Sequence, residues 1–325
     1  MVVSEDSFPI DAVITWVDGN DPAHKAKRKE YERREELEYD DVGGDIRYVN
    51  VGEIKYCVAS ILRFASFVRN IYIVTDGQDP QLGEFIERNF PGQSSKIRIV
   101  DHKVIYRGYE DFLPVFNSMA IETVLWRIPN LSEHFIMLND DLMFVAPATP
   151  KDFFVGDKIV CYATRFSVHF AKLLQLLKPK KKGHKVVTFK SGMVNSAKVV
   201  GERWRFFRLG HNPHAMRVSV FEQFFSKHRE LMEANMSQRF RELTSFNPTE
   251  LSFLLCAKEK KLILRPKKGN NLYLLPKGHH YMADHMKKFR NSTKEKFCCV
   301  NSLNYACEED QRSVLDWLKE RLILK

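Results

Sequence analysis

Four short runs of β-branched and aromatic residues, each ending on a carboxylate, constrain this chain more than any other feature. Asp11-Ala-Val-Ile-Thr-Trp-Val17 stops at Asp18-Gly19-Asn20-Asp21-Pro22, and Asn70-Ile-Tyr-Ile-Val-Thr75 stops at Asp76-Gly77. Lys96-Ile-Arg-Ile-Val100 ends at Asp101-His102, and His134-Phe-Ile-Met-Leu138 ends at Asn139-Asp140-Asp141. Runs of this length and makeup, closed by turn-forming clusters, predict buried strands. Between them, residues 53–67 place Ile54, Val58, Ile61, Leu62 and Ala65 at helical spacing, and residues 118–126 predict a further helix. Alternation of strand and helix predicts an α/β fold with a mostly parallel central sheet flanked by helices. In such a sheet ligands lie across the carboxyl ends of the strands, so the acidic strand ends are predicted to share one cleft.

The rest of the chain is less regular. Residues 23–39 are dense in Lys, Arg and Glu and predict a solvated helix, and residues 40–45 predict a loop. Residues 155–163 predict one more strand, 178–185 a basic loop, and 220–231, 249–258 and 309–322 helices, giving a largely helical C-terminal half with no internal repeat. Val314, Leu315, Trp317, Leu318, Leu322 and Ile323 form one apolar face of the last helix, which core packing explains better than a membrane surface.

Composition narrows the class. At 325 residues and 44% hydrophobic, the chain can bury a large core. No stretch approaches the roughly 20 apolar residues that a spanning helix needs. Glu5 and Asp6 at the start depart from the pattern of a secretory leader, which predicts an unsecreted protein. Six scattered cysteines predict free thiols, and the spacing of Cys298, Cys299 and Cys307 matches no common zinc pattern. A net charge of +10 predicts an anionic partner without choosing among nucleic acid, acidic membrane, nucleotide-sugar or charged polymer.

Three constellations carry chemistry. Leu138-Asn139-Asp140-Asp141 sets two adjacent carboxylates at the end of a strand, where one can hold a hard divalent cation while the other orients water or substrate. The bland reading of the pair is a capped turn. Gly210-His211-Asn212-Pro213-His214 fixes two histidines about a rigid turn, suited to removing a proton from a hydroxyl, or else to an ordinary surface turn. Arg239-Phe240-Arg241 offers fixed positive charge for a phosphate, and Lys190, Arg203, Arg205 and Arg208 are further cations of the same half.

In order along the chain, these motifs resemble the Stealth family of hexose-1-phosphate transferases, which includes bacterial capsule polymerases and the animal enzyme that tags lysosomal glycoproteins with N-acetylglucosamine-1-phosphate. The first family region resembles Ile10-Asp-Ala-Val-Ile-Thr-Trp-Val-Asp-Gly19. The second resembles Arg47-Tyr48 through Val68-Arg-Asn-Ile-Tyr-Ile-Val-Thr-Asp-Gly-Gln78, then Leu113-Pro-Val-Phe-Asn-Ser118, Ile121-Glu122 and Leu138-Asn-Asp-Asp141. The third resembles His211-Asn-Pro-His214 with Arg241 downstream, and the fourth Phe297-Cys-Cys-Val-Asn-Ser302 before a terminal helix. Departures fall at Asn50 and Lys55, where many members carry an acid and an arginine, and at Ala59, where an arginine is usual; Glu53 keeps its place.

The resemblance implies a Rossmann-like, GT-A-like fold in which residues 1–165 bind the nucleotide-sugar and residues 166–325 complete the same active site. It implies that an acceptor hydroxyl attacks the phosphorus next to the sugar of a UDP-sugar, forming a phosphodiester and releasing UMP. His211 would be the base, Asp140 and Asp141 would bind Mg²⁺ or Mn²⁺, and Arg241 would steady the phosphate. Asp18, Gly19, Asp76, Gln78, Asn117, Asn139, Lys190, His214 and Arg239 would bind substrate. The implied partners are a UDP-sugar and a growing polysaccharide, with no nucleic acid, for an enzyme in the cytoplasm or at the inner membrane face. The rival expectation is a conventional glycosyltransferase that releases UDP. A third is a non-catalytic protein that binds anionic polymer or membrane.

Overall fold

A computed structural model describes residues 8–32, 51–170, 189–267, 270–276, 281–290, 292 and 294–323. The expected loops at 40–45 and 178–185, the Lys190 side chain and residues 33–39 of the charged segment lie outside this description. In chain order the strands are β1 (Ile10–Thr15), β2 (Val68–Thr75), β3 (Ile97–Asp101), β4 (His134–Asn139), β5 (Leu142–Phe144), β6 (Phe154–Val155), β7 (Lys158–Ser167), β8 (Arg205–Leu209), β9 (His214–Arg217), β10 (Leu262–Arg265), β11 (Asn271–Leu274) and β12 (Phe297–Val300). The α-helices are α1 (Pro22–Tyr31), α2 (Glu53–Phe64), α3 (Gly83–Asn89), α4 (His102–Ile105), α5 (Ser118–Glu122), α6 (Phe189–Val199), α7 (Val218–Phe225), α8 (Arg229–Met236), α9 (Pro248–Lys258), α10 (Tyr281–Phe289) and α11 (Glu308–Leu322).

The central sheet has the order β3-β2-β1-β4-β9. Its first four strands are parallel and β9 runs antiparallel to β4. All four sequence-predicted strands are therefore present and point the same way. Strand order reverses beside β1, so the crevice between the ends of β1 and β4 is the switch point where ligands of such sheets bind. Val13, Ile14, Ile71, Ile73, Ile136 and Leu138 are fully buried. Each such side chain contributes about 1.5–3 kcal/mol. At the opposite, amino end of the sheet, buried Asp11 accepts from Arg69 Nε at 3.0 Å, Arg69 Nη2 at 2.7 Å, Asn70 N at 3.1 Å and Ser132 N at 2.8 Å. That full complement of donors is what lets a carboxylate sit inside.

The second half does not form a separate body, because its strands enter the sheets of the first. β9 extends the central sheet, β10 and β8 pair with β7, and β12 pairs with β5 while β11 pairs with β12. Helices still make up most of the regular structure of this half, and Val314, Trp317, Leu318 and Leu322 of α11 are buried in the common core. Among the described residues, no helix is long and apolar enough to cross a membrane.

Four expectations need correction. The helix expected at 118–126 ends at Glu122, and Leu125–Arg127 form a separate 3-10 turn. The single strand at 155–163 is a hairpin of β6 and β7, turned at Gly156, whose φ of 57° favours glycine in a tight two-residue connection. The single helix at 220–231 is α7 and α8, separated by residues 226–228. The charged segment beginning at 23 is less solvated than its composition suggests, since His24 and Arg28, one turn apart on α1, are buried. Asp21 starts that helix by accepting from Ala23 N, with Pro22 in the first turn.

Candidate active site

Across the switch point, Thr15 Oγ1 donates to Asn139 Oδ1 at 3.3 Å, so β1 and β4 are tied at the level where their polar ends begin. After Asn139 the chain turns through Asp140 and Asp141 into β5. That strand lies beside β12, with Cys299 opposite Leu142. Cys299 Sγ donates to Asp141 Oδ2 at 3.3 Å, and Val300 N donates to the Asp141 carbonyl at 2.9 Å. Among the described residues, Asp141 Oδ1 is buried with no hydrogen-bond partner. Glu53 enters from the start of α2, behind Gly52 at a φ of 87°, and its Oε2 accepts from Val51 N at 2.8 Å.

The electrostatics of this group are strained in one direction. Asp140 is pushed well above the usual carboxylate range by burial, then by Asp141 and Glu53. Burial also raises Asp141, against the opposing hydrogen bond from Cys299 and the nearby His211. Glu53 is raised by burial, with Asp141 adding to it. Both aspartates keep some accessible surface, so they sit at the crowded floor of an opening and are not sealed. The adjacent Asp140 and Asp141, with Glu53 adding to the repulsion on Asp140, favour either protons or a cation.

His211 reaches the same place from the turn after β8. It is exposed, yet crowding lowers its pKa; Asp141 works against that shift and Lys267 adds to it. Its imidazole stacks on Tyr273 at 4.6 Å between centroids and 20° between planes. Gly210 is required just before it, because a Cβ there would lie 2.1 Å from Asn212 Oδ1, and Asn212 is fully buried. His214, by contrast, is inside β9, edge-on to Phe253, and burial pushes its pKa down to about 3. It is a neutral core residue beneath the turn.

The remaining sequence-predicted residues form a second group at the ends of β1 and β2. Gln78 Oε1 accepts from Asp18 N at 2.8 Å, while Gln78 Nε2 donates to the Asp18 carbonyl at 3.0 Å and to Asp21 Oδ2 at 2.9 Å. Asp18 Oδ1 accepts from Asn20 N at 2.9 Å across the buried Gly19. Asp76 pairs with Lys27 at 2.8 Å. Asn117 caps α5 by accepting from Met119 N at 3.1 Å and donates to the Phe240 carbonyl at 3.3 Å, which fixes the Arg239–Arg241 segment. Arg239 stacks over Tyr31 at 4.8 Å, and Arg241 Nη2 donates to Ser118 Oγ at 2.9 Å. Phe116 lies 5.6 Å from the buried His24 ring, which joins these arginines to the β1–β2 side.

Asp140, Asp141 and His211 are thus brought together, Arg239 and Arg241 face α1 and α5, and Gln78 and Asn117 serve as braces. Sequence reading did not assign roles to Cys299, Tyr273 or Lys267, and it noted Glu53 only for matching the resemblance. The first three come from short strands or their flanks that no local pattern announces.

Comparison with known proteins places these elements. Residues 8–36 match the model of Stealth protein CR1, conserved region 1, and residues 47–162 that of Stealth protein CR2, conserved region 2. The chain is 28% identical over 335 residues to the receptor polysaccharide phosphotransferase WefC of Streptococcus oralis, covering 95% of both proteins. It is 33% identical over 253 residues to the exopolysaccharide phosphotransferase SCO6021 of Streptomyces coelicolor, covering 77% of this chain and 43% of that larger protein. Of solved structures, the WbbM bifunctional glycosyltransferase aligns with a TM-score of 0.47 at 11% identity, over 97% of this chain and 50% of that one.

Proposed function

Because this chain belongs to the Stealth family, we propose that it transfers a sugar 1-phosphate from a UDP-sugar to a hydroxyl of a growing capsular polysaccharide. The carrying observation is the pairing of an electrostatically strained Asp140–Asp141 floor with His211, in a chain that matches a polysaccharide phosphotransferase over 95% of its length. An N-acetylhexosamine is the proposed sugar, as in UDP-N-acetylglucosamine.

The reaction balances as follows. The acceptor oxygen forms a bond to the phosphorus beside the sugar, the bond from that phosphorus to the UMP oxygen breaks, and UMP leaves. The acceptor proton goes to His211, whose pKa crowding lowers. Arg241 faces the negative charge that spreads over the phosphoryl oxygens, and Arg239 supports it. Asp18, Gly19, Asp76 and Asn139 shape the donor side, with Gln78 and Asn117 holding their loops.

The partnerless Asp141 Oδ1 and the raised Asp140 fit a hard cation. Among the described residues, no three His, Cys, Asp or Glu side chains converge to hold one alone. Mg²⁺ or Mn²⁺ would take Asp141 and Asp140 and complete its shell with diphosphate oxygens and water. When bound it would neutralise diphosphate charge. The deciding experiment incubates the protein with UDP-N-acetylglucosamine, an oligosaccharide acceptor and Mg²⁺ and identifies the nucleotide released. UMP is the expected product, and UDP without UMP overturns the reading in favour of attack at carbon.

A further inference from the structure

We propose that Tyr273 is a positioning residue for His211, holding the imidazole toward the Asp141 floor by ring stacking; the inference rests on His211 being the base. Asn271 and Tyr273 lie two residues apart on β11 and so share one face of the strand. Asn271 Nδ2 donates to the His211 carbonyl, which fixes the backbone of the turn. Tyr273 then lies flat against the imidazole, 4.6 Å away and tilted by 20°.

The same row of the sheet reaches the carboxylates. Tyr273 is paired with Cys299, and Cys299 with Leu142, the residue after Asp141. Cys299 in turn donates to Asp141. One cross-strand row therefore spaces the base from the acidic floor, although the two belong to loops 70 residues apart in the chain. Burial, Cys299 and Asp141 push the Tyr273 hydroxyl up to about 12, so the ring acts as a neutral wall. His211 is itself solvent-exposed, and the flat face of Tyr273 sets the plane of its imidazole. Misplacing a reacting group by about 1 Å costs on the order of a hundredfold in rate.

The test compares Tyr273→Phe, Tyr273→Leu, His211→Ala and the double variant Tyr273→Leu/His211→Ala, measuring kcat, donor KM and thermal unfolding. Tyr273→Phe keeps the stack and is expected within about twofold of wild-type kcat. Tyr273→Leu fills the space without a flat face and is expected to lower kcat by about 10- to 100-fold at unchanged donor KM. The double variant is expected to be no worse than His211→Ala, since Tyr273 acts through the histidine. An inactive His211→Ala beside a fully active Tyr273→Leu overturns the positioning role alone. A fully active His211→Ala overturns the base assignment and the positioning role with it. Equal losses in Tyr273→Phe and Tyr273→Leu also overturn the proposal, because they assign the effect to the hydroxyl.

Discussion

The ends of β1 and β2 and the end of β4 are built from the same sequence device, a hydrophobic strand running into aspartates, yet they use it in opposite ways. At β1 and β2 the acids are consumed by the fold: the Asp18 carboxylate accepts from Asn20 N, Asp21 accepts from Gln78 and Ala23 N, and Asp76 is paired with Lys27. At β4 the acids repel one another, Asp140 against Asp141 and Glu53, and one oxygen of Asp141 has no partner among the described residues. The contrast separates scaffold from chemistry. A satisfied carboxylate holds a loop in place, whereas a crowded one stores the repulsion that a ligand cation would relieve.

The sharpest way to break this comparison is Asp141→Ala. Turnover is expected to fall by a hundredfold or more, measured as UMP release, with the fold intact. Full turnover would place the chemistry elsewhere. Gln78→Leu tests the other side: losing the three hydrogen bonds of Gln78 is expected to cost about 1–3 kcal/mol in denaturant unfolding and to act on donor KM more than on kcat. A pure kcat effect would move Gln78 into the reacting group.

Asp140→Asn gives the smallest effect and the most specific sign. A carboxylate whose folded pKa is raised favours the fold below its unfolded pKa and loses that contribution as pH climbs through the folded value. The neutral amide is therefore expected to stabilise the metal-free protein at pH 7 by about 1–2 kcal/mol, a gain that vanishes in acid below roughly pH 4. Destabilisation at pH 7 would show that Asp140 is satisfied like its counterparts at β1 and β2.

How far all this was legible depends on the range of the interaction. The four parallel strands and their acidic ends follow from local runs such as Val13-Ile14 and Ile71-Tyr72-Ile73, whose pattern is complete within a few residues. The His211 turn was visible because Gly210 and Pro213 punctuate it. The four-residue strands β11 and β12 were not, since such short runs carry little periodicity. Cys299 reads as a buried thiol, and it is one. That its neighbour is Asp141, 158 residues earlier, is set by strand pairing that no local window contains. The burial of Arg28 beneath charged neighbours is hidden for the same reason, because its surroundings come from elsewhere in the fold.

The place of β12 in the middle of its three-stranded sheet, between β11 and β5, has a consequence for biosynthesis. As the chain leaves the ribosome, β1, β2 and β3 have all their partners within the first 139 residues, and β4 waits only for β9 on its other side. The row that joins Tyr273 to Asp141 cannot close until residues 297–300 emerge and slot into the gap. The proposed base and the acidic floor are therefore spaced from one another only after the parallel strands are already in place.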